Sequence, residues 1–296
     1  MEKMTDNSTN TDNSTFPSNG AVITSSIVLF VFGLAGNGMI VYGYFRFRRL
    51  RTRTNYFVLN LAIADLVLTV GLGAWIIEEL RGNPSEKFLR AFMISIDILC
   101  FSASMLSMTA VSVDRFFAVT SPLKYNHKIT RSRAHMATLL IWLYSLVMFV
   151  IGVSRYYVEQ MESASANKIF MTTLTVTCFV IPALTMVYAH VSVFRIALIS
   201  KRETPDVMEL TNGRSKEMSK TVKLSFNTLV ILVPMTTAWG IFFGVTVYEA
   251  HCTNCPISTS VFSTIVGYLP YIAAAIDPIV YILLSRDLRL KLCRCL

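Results

Sequence analysis

The sequence predicts an all-α membrane protein: a seven-transmembrane-helix bundle with a short amphipathic eighth helix. Three observations carry this expectation. Hydrophobic residues make up 53% of the 296-residue chain and charged ones only 15%, with a mean hydropathy of +0.53, which excludes an ordinary soluble domain. Apolar stretches long enough to cross a bilayer recur at 21–45, 56–80, 89–113, 136–158, 169–199, 225–248 and 258–284. Twenty Lys and Arg fall on one side of these spans and six on the other, with Arg115 counted apart.

Residues 1–20 are polar and rich in Asn, Ser and Thr, so they are expected to be disordered, with no cleavable signal peptide. Asn7-Ser8-Thr9 and Asn13-Ser14-Thr15 are glycosylation sequons, meaningful only if this end is lumenal. Residues 21–284 form the bundle. The connection after the first span carries Arg46, Arg48, Arg49, Arg51 and Arg53, and that after the third carries Lys124, Lys128, Arg131 and Arg133. Both belong to the basic side, which places the N-terminus outside and the tail in the cytoplasm. The net charge of +9 is then topology plus attraction to anionic inner-leaflet lipid, with no call for nucleic acid. The stretch 200–222, with Pro205, Asn212 and Gly213 among charges, reads as a loop. Pro234 and Pro270 interrupt the sixth and seventh spans and are tolerated there as kinks. Residues 285–296 form a short cytoplasmic amphipathic tail, with Leu288 and Leu292 towards the inner leaflet.

Within the third span Asp97 stands seventeen residues before Asp114-Arg115-Phe116. At about 1.5 Å per residue these points lie about 26 Å apart, close to the ~30 Å of a hydrocarbon core. One helix thus sets a carboxylate near the outer face and an acid–arginine pair at the inner one. An ionisable residue inside a membrane is costly and marks a functional site by default; the alternative is an Asp satisfied by a neighbouring Tyr or Ser.

The six cysteines divide by place. Cys100 and Cys178 lie within spans as small apolar packers. Cys252 and Cys255 share an outside loop, where they make a disulfide or, alternatively, half of a metal site. Cys293 and Cys295, beside basic residues after the last span, are candidate palmitoylation sites.

Several motifs occur together: Gly36-Asn37 in the first span, Asn60-Leu61-Ala62-Ile63-Ala64-Asp65 in the second, and Asp114-Arg115-Phe116 followed by Pro122-Leu123-Lys124-Tyr125. Trp142, Pro182 and the seventh-span Asp277-Pro278-Ile279-Val280-Tyr281 complete the set. In this order the chain resembles the rhodopsin-like (class A) G-protein-coupled receptors over about residues 21–292. Ser102-Ala103-Ser104-Met105-Leu106 after Asp97, Trp239-Gly240-Ile241-Phe242-Phe243 and Tyr268-Leu269-Pro270-Tyr271-Ile272 bring it closest in pattern to the biogenic-amine receptors.

The resemblance implies a plasma-membrane receptor that binds a small extracellular amine and transmits to a heterotrimeric G protein, with arrestin as a further partner. Asp97 would hold the ammonium. Phe101, Trp239, Phe242, Phe243 and Tyr271 would wall it with aromatic faces, each worth about 0.5–2 kcal/mol of cation–π attraction. Thr175 and Cys178 would meet the ligand's polar end. Asp65, Ser104 and Asp277 would form a core polar pocket for an allosteric sodium ion, since two carboxylates in one dry site need a cation or a shared proton. Asp114, Arg115, His190 and Tyr281 would serve coupling, with Arg115 held by Asp114 at rest.

The chain departs from the family in places. Arg90 stands where a cysteine is usual and residues 155–168 hold no partner, so the extracellular disulfide is missing and the lid should be looser. Ala273 and Ala274 replace polar neighbours of the sodium pocket, and His190 replaces a Tyr. Either Pro234 or Ile241 occupies the sixth-helix proline position. With Trp239 aligned, Thr221 replaces an acid that would restrain Arg115, which predicts raised basal activity. Rival readings are a receptor of the same fold for a peptide, lipid or nucleoside, and a transporter or proton pump using the same acids. The absence of repeats counts against the latter. No nucleophile–base pair or metal-spaced cluster marks an enzyme.

Overall fold

The computed structural model describes residues 19–81, 87–155, 164–202, 212–252 and 260–284, and all regular structure among them is helical. Asn7, Asn13, Cys255, Cys293, Cys295 and the whole 285–296 tail lie outside the described residues, as does the side chain of Thr221. Helix α1 spans Asn19–Arg46, α2 Arg53–Arg81, α3 Lys87–Thr120, α4 Pro122–Lys128 and α5 Arg131–Ser154. Helix α6 (Ala164–Thr175) continues through a π turn, Val176–Val180, into α7 (Ile181–Arg202); α8 spans Asn212–His251 and α9 Ser260–Leu284.

Among the described residues, five helices are long and apolar enough to cross a membrane: α1, α2, α3, α5 and the continuous α6–α7. Helix α9 adds the apolar stretch Val266–Ile282, and α8 holds the expected sixth span. A ring closes because α1 packs on α2 and α9, α9 on α8, and α8 on α6 and α7, with α3 touching α2, α5, α7 and α8. Burial follows this order. The apolar windows of α2 and α3 are 61% and 67% buried, against 28% for α1 and 22% for α6–α7, so the outer helices turn residues such as Phe32, Leu139 and Leu184 outward. In a bilayer that face meets lipid rather than water.

Local sequence sets the helix ends. Thr130 caps α5, its hydroxyl accepting the Arg133 N–H at 3.2 Å, so the fourth span begins earlier than its apolar run. Pro122 opens α4 at a position where its missing N–H costs nothing. This short helix was not legible as more than a basic connection. The predicted 200–222 loop is corrected at its far end: α8 already includes Asn212 and Gly213. The helix formers of Arg214–Lys223 extend it beyond the apolar span.

Close approaches bind the ring. On α1, a Cβ at Gly36 would lie 2.5 Å from the Pro278 ring of α9, and Asn37 donates to the Ala274 carbonyl at 3.0 Å. Trp142 on α5 donates to Asn60 on α2 at 3.2 Å. Pro234, Pro270 and Pro278 all sit inside their helices.

Candidate functional site

A cavity of about 480 Å³ opens among α1, α2, α3, α6, α8 and α9, within the range of small-ligand sites. Of the predicted ligand residues, Asp97, Phe101, Trp239, Phe242, Phe243 and Tyr271 line it. Asp97 Oδ2 accepts the Tyr271 hydroxyl at 2.8 Å and the Trp75 indole N–H at 3.3 Å. Its Oδ1 is buried and has no hydrogen-bond partner among the described residues. Gly71 makes room for that oxygen, since a Cβ there would lie 3.3 Å from it. Pro270 thus leaves Tyr271 within reach of Asp97. The carboxylate is tied at one oxygen and left free at the other, which a purely structural Asp would not need.

The aromatic floor packs on itself. The Phe101 ring centre lies 4.2 Å from that of Trp239 and 4.5 Å from that of Phe243. Phe242 meets Trp239 and Phe243 edge-on at 5.7 and 5.4 Å. Phe101, Trp239 and Phe243 are almost wholly buried, so Phe242 and Tyr271 present the more open faces. Trp239 reaches the cavity as its alignment requires, while Ile241 points outward, 46% exposed.

Thr175 and Cys178 do not line this cavity. The Thr175 hydroxyl bonds back to the Met171 carbonyl at 2.7 Å. Cys178 is fully buried within the π turn, its sulfur 3.4 Å from both the Ser102 and Tyr144 hydroxyls. The extra residue of that turn carries it towards α3 and α5 rather than into the cavity. Sequence reasoning missed Trp75 and Glu79, which line the cavity from α2. The spacing Gly71, Trp75, Glu79 repeats every four residues and so shares one helix face, but that this face meets the cavity is decided by how α2 packs.

Beneath the cavity, Asp65 is fully buried and its Oδ1 accepts the Ser104 hydroxyl at 2.9 Å. Asp65 Oδ2, Asp277 Oδ2 and the Ser107 hydroxyl are buried without partners among the described residues. Asp277 is likewise buried. Orphaned oxygens with two carboxylates make a donor set that fits a hard monovalent cation. His190 is buried on α7, its Nε2 also unpartnered.

At the opposite end of α3 from Asp97, Asp114 is 1% exposed and carries three interactions. Its Oδ2 accepts the Thr54 hydroxyl at 2.7 Å and lies 3.6 Å from Arg115 Nη2; its Oδ1 accepts the Tyr125 hydroxyl at 2.7 Å. Arg115 also donates to Thr54. Burial first, then the Asp114 carboxylate, pushes the Tyr125 hydroxyl up to about 12, so it keeps its proton and donates at neutral pH. The Arg53 guanidinium lies 5.4 Å from the centre of the Tyr125 ring. Tyr281 reaches Asn55 on α2 at 3.0 Å. Arg115 and Asp114 therefore pair as expected, while Thr54 and Tyr125 are partners that no spacing revealed.

Cys252, at the end of α8, is disulfide-bonded, and its expected partner Cys255 lies outside the described residues. Arg90 pairs with Glu78 of α2 at 3.2 Å, a link between α2 and α3 beside the place of the missing disulfide.

Residues 36–281 match the family model "7 transmembrane receptor (rhodopsin family)". The chain is 28% identical to the histamine H2 receptor of Canis lupus familiaris over 284 residues, 90% of this chain and 77% of that protein. It is 26% identical to the histamine H2 receptor of Cavia porcellus over 277 residues, 89% and 76% of the two chains. A shorter match, 30% over 208 residues, relates it to the dopamine D2-like receptor of Drosophila melanogaster, covering 63% of this chain and 22% of that one.

Proposed function

The chain belongs to the rhodopsin family of seven-transmembrane receptors, multi-pass membrane proteins rather than enzymes, and we propose that it is a cell-surface receptor for a small protonated amine. The supporting observation is the half-tied carboxylate of Asp97, with Oδ2 held by Tyr271 and Trp75 and Oδ1 buried without a partner among the described residues. An ammonium supplies the missing positive charge and hydrogen-bond donors, and the aromatic faces around it add attraction without competing for its charge. Its histamine and dopamine receptor relatives point to the same ligand class.

Output runs through Arg115 to a heterotrimeric G protein. In the arrangement described, Asp114 and Thr54 hold the guanidinium against α2 and α3. Opening of the bundle frees it to meet the G protein. An amine drives that change only by its higher affinity for the open bundle. Asp65, Ser104 and Asp277 would hold a sodium ion that balances their charge. Arrestin binding, glycosylation at Asn7 and Asn13, palmitoylation at Cys293 and Cys295, and an outside N-terminus complete the reading.

The test is a second-messenger screen with a panel of amines in cells expressing the native chain, Asp97→Ala or Arg115→Ala. The expected result is an amine response absent from both variants at equal surface density. Basal signalling that dies only with Arg115→Ala, without any amine response, would keep the receptor and discard the amine.

A further inference from the structure

Building on the amine reading, we propose that the preferred ligand carries two cationic groups, the first at Asp97 and the second at Glu79. The cavity runs from Asp97 towards α1, α2 and the outer part of α9, where Ser26, Glu79 and Tyr268 line it. On the opposite side α6 contributes the apolar Met171 and Leu174 among the described residues. Ser26 and Tyr268 hydrogen-bond each other at 2.8 Å, and the Thr246 hydroxyl is committed to the Phe242 carbonyl at 2.8 Å.

Two acidic groups among the described residues then face the ligand space. One is the buried, unpartnered Oδ1 of Asp97. The other is Glu79, exposed at the mouth, with no hydrogen bond or ion pair among the described residues. The nearby Arg90 is already paired with Glu78. Gly71 abuts Asp97, and Glu79 lies eight residues further along the same face of α2, an axial interval of about 12 Å. A monoamine satisfies one of them. A diamine whose nitrogens bridge that interval satisfies both, while its methylene chain lies along Leu72 and Ile76, which line the cavity between them. Two carboxylates at opposite ends of an apolar channel thus select charge at both ends of an extended ligand.

The experiment compares α,ω-diaminoalkanes of increasing length with n-alkylamines of the same length, by second-messenger response. Cells express the native chain, Glu79→Gln, Glu79→Lys or Asp97→Asn, with surface density measured through an N-terminal tag. At the bridging length the diamine should be about 2- to 5-fold more potent than its monoamine, the scale of a rim ion pair. That ratio should collapse towards one in Glu79→Gln and invert in Glu79→Lys. A ratio near one in the native chain, or one that survives Glu79→Gln, overturns the second cationic site. If monoamines still act through Asp97 in that case, the amine reading stands alone. If neither amine class acts, at any length, both readings fall together.

Discussion

Replacing Tyr125 with Phe should raise ligand-free signalling about tenfold. The change removes one hydroxyl and little else. The ring remains for the Arg53 guanidinium, 5.4 Å from its centre, and Pro122 still opens α4. What is lost is a 2.7 Å hydrogen bond to Asp114 Oδ1. Hydrogen bonds to a charged group contribute about 1.5–3 kcal/mol, and the lower end applies because Tyr125 is only half-buried. About 1.5 kcal/mol is close to a factor of ten. If the bond exists only while α4 and α3 keep the closed arrangement, an open fraction of about 1% rises to about 10%. The assay is basal second-messenger output plotted against surface density. Unchanged or lower output at matched density would show that this bond does not hold the closed state. Thr54→Val makes an independent check, since Thr54 both donates to Asp114 and accepts from Arg115; it should raise basal output too.

Two further outcomes follow from other contacts. Tyr271→Phe, which removes the 2.8 Å bond to Asp97, should weaken amine potency about tenfold, and Trp75→Phe, which removes the longer 3.3 Å bond, by less; dose–response curves rank them, and the reverse order would contradict the geometry. Gly36→Ala should cost about 1–3 kcal/mol, because its Cβ would meet the Pro278 ring at 2.5 Å; thermal unfolding in detergent should fall, while Gly38→Ala, with nothing within 4 Å, should not fall.

The contrast between Asp97 and Glu79 shows how far sequence reading reaches. Asp97 was legible because a charge inside an apolar run is conspicuous without knowing any neighbour. Its spacing to Arg115 follows from helix rise alone. Glu79 closes an apolar run at its outer end, next to Glu78 and Leu80, and nothing local says which of these faces the cavity. That is settled by the azimuth at which α2 packs on α3. Cys178 illustrates the opposite error, because a single π turn between α6 and α7 changes the direction of every side chain after it.

The spans, the membrane, the order of motifs and the axial depth of each charge were determined by the sequence alone. Periodicity and rise are properties of a single helix, and a chain this apolar must satisfy its backbone hydrogen bonds within each span. Tertiary structure alone decided which oxygen of Asp97 is free, that Tyr125 and Thr54 share Asp114, and that the cavity turns towards α2. Each depends on groups from separate helices meeting at hydrogen-bond distance. That requires the relative rotation and depth of the helices, which packing between them sets and no single helix encodes.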